Sequence, residues 1–288
     1  MRCAVLGDPI AHSLSPVLHR AAYDATGLDW SYDAVRVSAG GLAAHVAALD
    51  GSWRGLSLTM PLKREALSVA DTVSARAGLA GAANTLVLVD GEVHADNTDL
   101  PGAAAAIRER YAGPVTSATV LGAGATAASV GLALCDLGAR SLLLLARDPS
   151  RATETVAAIE RHPDAPRVEL GPLTGGQPRG EVLVSTIPAA AQDADLVARC
   201  KDPAVLFEVV YDPWPTPLAV AAGNRVLVSG LDLLVHQAAL QFEVFTGLPA
   251  PLERMREAGL RALATTPRRS SPPPLRSSAE QRRGDPGS

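Results

Sequence analysis

Lysine is nearly missing from this 288-residue chain: 24 arginines stand against two lysines, Lys63 and Lys201. A sequence that uses Arg wherever a plain positive charge suffices draws attention to any Lys it keeps. An ammonium shares or releases its proton, whereas a guanidinium stays charged. Asparagine is also scarce, at Asn84, Asn97 and Asn224 only. The three cysteines, Cys3, Cys135 and Cys200, are scattered and odd in number. They show neither a disulfide framework nor zinc spacing, which suits the cytoplasm. The six His stand apart from one another and pair with no Cys, so no metal site is expected. No excess of basic charge exists, with a net charge of -4 and a pI of about 5.9, so the footprint of a nucleic-acid binder is absent. No apolar run approaches the roughly 18 residues of a membrane helix. The opening MRCAVLGDPI is too short in its apolar part for a signal peptide. No internal repeat is visible.

What is present points to packed cores. Apolar residues make up 47% and charged residues 19%, with a mean hydropathy of +0.14, which excludes a mostly disordered chain. The length suggests two domains. Strand and helix patterns alternate from the start: a strand over Cys3–Gly7, then a helix opened by Pro16 with Ser15 as its cap, running to about Thr26. A strand near Tyr32–Arg36 precedes an amphipathic helix around Leu42–Leu49. A strand over Leu56–Thr59 precedes a helix opened by Pro61, with Lys63 in its first turn, to about Asp71. This alternation argues for α/β units with parallel pairing. Asp90-Gly91 is a strong two-residue turn signal between 85–89 and 92–96. Centring the hairpin there pairs Val89 with Glu92 and so Asn84 with Asn97. Asn84, Thr85, Asn97 and Asp99 then gather at one end.

A second start follows a helix over Gly102–Tyr111. Ala118–Leu121 reads as a strand, Gly122-Ala123-Gly124-Ala125-Thr126-Ala127 as a Gly-rich turn, Thr126–Leu137 as a helix and Ser141–Ala146 as the next strand. This G-x-G-x-x-A turn suits a dinucleotide pyrophosphate: Gly122 for the turn, Gly124 for close approach, Ala127 for helix–strand packing, and the helix N-terminus for the charge. Arg147 and Arg151, after the second strand, can bracket a 2′-phosphate and favour NADP. Asp148 between them keeps NAD open through the ribose hydroxyls. Further strands are expected at Glu181–Ser185, Val205–Val210 and Arg225–Ser229, and a helix over Leu231–Phe245. Residues 266–288, rich in Pro, Ser and Arg, read as a disordered tail.

A cation in the first turn of a helix is poorly placed for stability. Lys63 is then either a solvated side chain or an amine kept for proton transfer. Asp99 either caps the helix that follows or holds that amine. Ser13 and Ser15 offer two hydroxyls to a carboxylate, unless Ser15 is only a cap. Gln237 is either a surface amide or a ligand, and His236 reads as packing.

Taken together, these motifs resemble the shikimate/quinate dehydrogenase family. The resemblance rests on Gly7-Asp-Pro-Ile-Ala-His-Ser-Leu-Ser-Pro16, Leu58-Thr-Met-Pro-Leu-Lys63, Gly81-Ala-Ala-Asn-Thr85, Asp96-Asn-Thr-Asp99, Gly122-Ala-Gly124, Tyr211-Asp-Pro-Trp-Pro-Thr-Pro-Leu218 and Gly230-Leu-Asp-Leu-Leu-Val-His-Gln237, in family order over about residues 3–262. It implies an α/β enzyme with an N-terminal substrate domain (1–101 plus 231–265), a Rossmann-like NADP-binding domain (102–230) and a cleft between them. It implies reversible hydride transfer between shikimate C3 and NADP, with Lys63 and Asp99 as the catalytic pair. Ser13 and Ser15 match the positions for the substrate carboxylate. Thr59, Asn84, Asp99 and Gln237 match those for the ring hydroxyls, and Gly230 matches a position beside the nicotinamide. The implied partner is a small molecule, and a monomer or homodimer is expected. Departures are Ser57 where many members carry Asn, Leu100 where Gly is usual, Gly-Ala-Gly-Ala in the phosphate loop, and Asp148 in place of the Thr common in NADP users. An NAD-dependent quinate/shikimate dehydrogenase is the alternative, and a non-catalytic cofactor or metabolite sensor a second.

Overall fold

The computed structural model describes residues 1–265, so the reading of 266–288 as a disordered tail lies outside the described residues. Two six-stranded sheets organise the chain. The first contains β1 (Arg2–Gly7), β2 (Ser31–Arg36), β3 (Trp53–Leu58), β4 (Thr72–Val73), β5 (Thr85–Val89) and β6 (Glu92–Asp96), in the order β2-β1-β3-β5-β6-β4. Strands β2, β1 and β3 run parallel, β5 pairs antiparallel with β3, and β6 folds back antiparallel on β5 as a hairpin. Val89 pairs with Glu92 and Thr85 with Asp96, the register that the Asp90-Gly91 turn predicts. Helices α1 (Ser15–Thr26), α2 (Leu42–Ala47), α3 (Ala66–Val69) and α4 (Ala75–Ala80) belong to this unit.

Helix α5 (Asp99–Arg110) leads into the second sheet: β7 (Ser117–Leu121), β8 (Ser141–Ala146), β9 (Arg167–Pro172), β10 (Val182–Ser185), β11 (Val205–Glu208) and β12 (Val226–Ser229). Its order, β12-β11-β10-β7-β8-β9, is parallel throughout. That is the doubly wound order of a Rossmann-like domain, with its switch point between β7 and β10. Both faces of this sheet are covered, so its strands are continuous apolar runs such as Leu142-Leu-Leu-Leu145 rather than alternating ones. Helix α6 (Ala125–Asp136), buried from Ala127 through Cys135, is apolar on all sides for the same reason. Helices α7 (Thr153–Glu160), α8 (Ala194–Arg199) and α9 (Pro217–Val220) complete the unit. The chain then returns: α10 (Gly230–Thr246) and α11 (Leu252–Thr265) share a core with α1 on one face of the first sheet. The architecture is two-domain α/β.

Two local expectations are corrected. Ser15 caps nothing. It is the first residue of α1, Leu14 holds the cap position, and no side chain bonds there. Lys63 is not in a helix: turns run from Met60 to Glu65 and α3 begins only at Ala66. There the Lys63 carbonyl accepts from the Ala83 N–H at 2.8 Å, and the Leu67 N–H bonds to the Arg64 carbonyl instead of closing a helical turn on Lys63.

Helices α5 and α10, which connect the two units, touch backbone to backbone at Gly102. A Cβ there would lie 2.9 Å from the Gln237 nitrogen and 3.0 Å from its Cα. Gly102→Ala therefore forces the helices apart. We expect a loss of about 1–3 kcal/mol, read as a lowered denaturant midpoint. An unchanged midpoint would contradict this packing.

Candidate active site

The loop between β1 and α1 brings Ser13 and Ser15 to the junction of the two units. The turns after β3 bring Thr59 and Lys63, the start of β5 brings Asn84, the start of α5 brings Asp99, and α10 brings Gly230 and Gln237. All eight line one cavity of about 270 Å³. Further polar lining residues not singled out as ligands from sequence include His12, Thr126, Tyr211, Asp212 and Gln241. Gln241 had a usable signal, since it lies four residues from Gln237 and so on the same face of α10.

At the centre, Lys63 Nζ donates to Asp99 Oδ2 at 2.6 Å, with side chains only 14% and 7% exposed. Nζ also reaches Thr126 Oγ1 of α6 at 3.3 Å, so the amine touches both units. The carboxylate is held from its other side by Asn84 Nδ2 at 2.9 Å from Oδ1. The direction of the Asn84 amide is fixed by a group that can only donate: the Thr98 N–H lies 2.8 Å from Asn84 Oδ1. The amide nitrogen must then face Asp99 and Gln237 Oε1, the latter at 3.1 Å. Asn97 is fully buried and holds the start of α5. Its oxygen accepts from the Leu100 N–H, and its nitrogen donates to Ala82 O and Ser129 Oγ. Leu100, the departure from Gly, packs in the core of the second unit.

A buried polar layer lies behind this pair. Gln241 Nε2 donates to the Asn84 carbonyl at 2.9 Å, a group that can only accept, so Gln241 Oε1 faces Ser57 and takes its hydrogen at 2.7 Å. The Ser57 oxygen then accepts from the Tyr32 hydroxyl. Tyr32 stacks on His19 at 4.1 Å, and both ring nitrogens of His19 are buried. Burial pushes the His19 pKa down to about 3. On the opposite wall, burial raises the Tyr211 pKa, against hydrogen bonds to the Leu14 backbone and the Ser13 side chain.

The Gly-rich turn follows β7 and meets this cavity through Thr126. Gly122 has φ +113°, and a Cβ there would strike Thr186 Oγ1. A Cβ on Gly124 would instead meet nothing within 4 Å, which is the clearance an approaching phosphate needs. No side chain caps α6, so the donors of its first turn beyond Ala125 stay uncapped by the protein's side chains. The Ala123 carbonyl accepts from Thr155 Oγ1, and Ala127 is fully buried in the core. Arg147 and Arg151 are exposed after β8, beyond the cavity. Asp148 turns its carboxylate onto the Ser150 N–H and hydroxyl at 3.1 and 2.6 Å, and the Ser150 bonds lower its pKa. These residues fit a dinucleotide. Among the described residues no group of three or more His, Cys, Asp or Glu is placed to hold a metal ion. His236 bonds Glu109 at 2.6 Å rather than facing the cavity.

A family model for the shikimate dehydrogenase substrate-binding domain matches residues 5–86, and one for the shikimate 5′-dehydrogenase C-terminal domain matches residues 230–258. The NADP-dependent shikimate dehydrogenase of Caulobacter vibrioides is 38% identical over 273 residues, covering 90% of this chain and 94% of the relative. The chain belongs to the shikimate dehydrogenase family. It is thereby an oxidoreductase. The shikimate dehydrogenase of Mycobacterium tuberculosis superposes with a TM-score of 0.82 at 40% identity, over 90% of this chain and 99% of that one. The shikimate 5-dehydrogenase of Thermus thermophilus, solved in complex with NADP(H) and shikimate, gives 0.77 at 31% identity over 91% and 99%. The family's fold explains why one cavity collects residues from both ends of the chain.

His19 gives this buried layer a pH signature. Its folded pKa lies below the usual 6.5, so the unfolded chain binds the extra proton, and stability falls as pH drops from about 6.5 towards 3. His19→Phe keeps a stacking ring and removes that component. The variant's melting temperature should fall less steeply over this window than that of the parent. Parallel slopes would contradict a buried neutral imidazole.

Proposed function

We propose that this chain is an NADP-dependent shikimate 5-dehydrogenase that reduces 3-dehydroshikimate reversibly to shikimate, a step of aromatic amino acid biosynthesis. The observation that carries the reading is the Lys63–Asp99 pair, 2.6 Å apart, in one cavity with Ser13, Ser15, Thr59, Asn84 and Gln237. Ser15, spent on no helix cap, and Ser13 offer hydroxyls to a substrate carboxylate. Thr59, Asn84, Asp99 and Gln237 suit a ring carrying several hydroxyls. When bound, NADP supplies or accepts the hydride. Gly122, Ala123, Gly124, Ala125 and Ala127 would hold its pyrophosphate, Arg147 and Arg151 its 2′-phosphate, and Gly230 would flank the nicotinamide.

Lys63 handles the proton on the reacting oxygen. In the reducing direction its ammonium donates to the carbonyl oxygen, and in the oxidising direction its amine takes the hydroxyl proton. Asp99, oriented by Asn84, holds the amine and shares the hydroxyl. The low exposure of both side chains excludes water that would compete for that proton. Three buried free cysteines suit a reducing compartment, the cytoplasm in this reading. The second reading, an NAD-linked quinate/shikimate dehydrogenase, draws on Asp148, whose Oδ2 is left for a ribose hydroxyl while Oδ1 serves Ser150.

Lys63→Ala should lower kcat by roughly 10²–10⁴-fold, the scale of a lost general acid–base, with a smaller change in the KM for shikimate. Near-normal kcat would remove Lys63 from the reaction. Replacing Arg147 and Arg151 together by Ala should raise the KM for NADP by about tenfold or more and leave that for NAD nearly unchanged, since each arginine offers charged hydrogen bonds to the 2′-phosphate alone. Equal effects on both cofactors would favour the second reading.

A further inference from the structure

Glu208 closes β11 as a fully buried carboxylate, and among the described residues no cation pairs with it. Burial raises its pKa, and such a group keeps its charge only where donors converge on it. Three do. The Val210 N–H lies 3.1 Å from Oε1, and Thr216 Oγ1 and Gln192 Nε2 lie 2.9 and 2.8 Å from Oε2. Each is committed as a donor. Thr216 Oγ1 already accepts from the Ala219 N–H, so its hydrogen is free for Glu208. Gln192 Oε1 accepts from the Leu218 N–H, which fixes its amide nitrogen towards the carboxylate.

The groups tied together here belong to the two loops that leave β10 and β11 at the crevice end of the sheet. One of them, 209–216, crosses towards the first unit. Its residues Val209 to Asp212 line the cavity, and Tyr211 packs on the core of the first unit, bonded to Ser13 and Leu14. Val209 also packs so closely on Gly230 that its carbonyl oxygen leaves no room for a Cβ there. We propose that Glu208 is a positioning residue of this active site: with Gln192 and Thr216 it fixes the 209–212 strap and so holds Tyr211 opposite Ser13. The proposal rests on reading the cavity as the substrate site. Glu208 itself touches none of the reacting groups.

Trp214 lies two residues beyond the strap, in the same loop, and reports on it without any substrate. In a background with Trp30→Phe and Trp53→Phe, acrylamide quenching of Trp214 and steady-state kinetics would be compared for the parent, Glu208→Gln and Thr216→Val. Glu208→Gln keeps the volume and sets an amide donor against three donors. Thr216→Val removes one donor and keeps the shape. With circular dichroism unchanged, Trp214 quenching should rise about twofold, and the KM for shikimate about fivefold or more. The kcat should stay within about threefold, because Lys63 and Asp99 stand on the other unit. If Glu208→Gln fails to fold, Thr216→Val alone decides. Unchanged quenching in a folded variant would overturn the proposal, as would a fall in melting temperature with KM unmoved. Quenching that rises in a chain inactive on shikimate would support the strap's anchor and place the failure in the substrate assignment.

Discussion

An ammonium and a carboxylate withdrawn from water must meet, or one of them must lose its charge. Lys63 and Asp99 meet at 2.6 Å, and most of the local structure serves that contact. The Lys63 carbonyl bonds to the Ala83 N–H, and the side chain stands on a turn facing the cavity. Asn97 ties the start of α5 to both Ala82 and Ser129, so Asp99 enters from a fixed point. Asn84, its amide direction dictated by the Thr98 N–H, occupies the other carboxylate oxygen. Removing one partner would strand the other charge in a poorly hydrated site, which is why backbone groups with no freedom to reverse their roles determine this arrangement.

The two sheets divide the labour. The first supplies the polar residues at the ends of β3 and β5, and α5 and α10 carry the chain to and from the second. The second sheet, parallel and covered on both faces, opens a crevice at its switch point, where Gly122 makes the tight turn and Gly124 keeps the backbone accessible. Lys63 spans the junction through Thr126, and the 209–212 strap spans it again through Tyr211. The contacts that span the junction therefore come from the same groups that would hold the ligands.

Much of this could be read from residue order. The Asp90-Gly91 turn determined the hairpin register, and that register alone brought Asn84, Asn97 and Asp99 together. The scarcity of lysine singled out Lys63. The Gly-rich turn located the second sheet's switch point. Long-range contacts could not be read in this way. Pro61 promised a helix at Lys63, but turns stand there, and the Lys63 carbonyl bonds to Ala83, distant in sequence. Ser15 looked like a cap, yet it is the first residue of its helix and Leu14 holds the cap position. The layer of His19, Tyr32, Ser57 and Gln241 joins α1, β2, β3 and α10, and no local pattern announces such a meeting. Glu208 reads as the end of an apolar strand, and only the folded chain shows three donors converging on it.

The most direct test is the initial rate of nicotinamide reduction by the purified chain with shikimate, followed by near-ultraviolet absorbance with NADP and NAD in parallel. The account predicts rapid shikimate-dependent reduction, faster with NADP than with NAD. Shikimate-independent traces with both cofactors would contradict it.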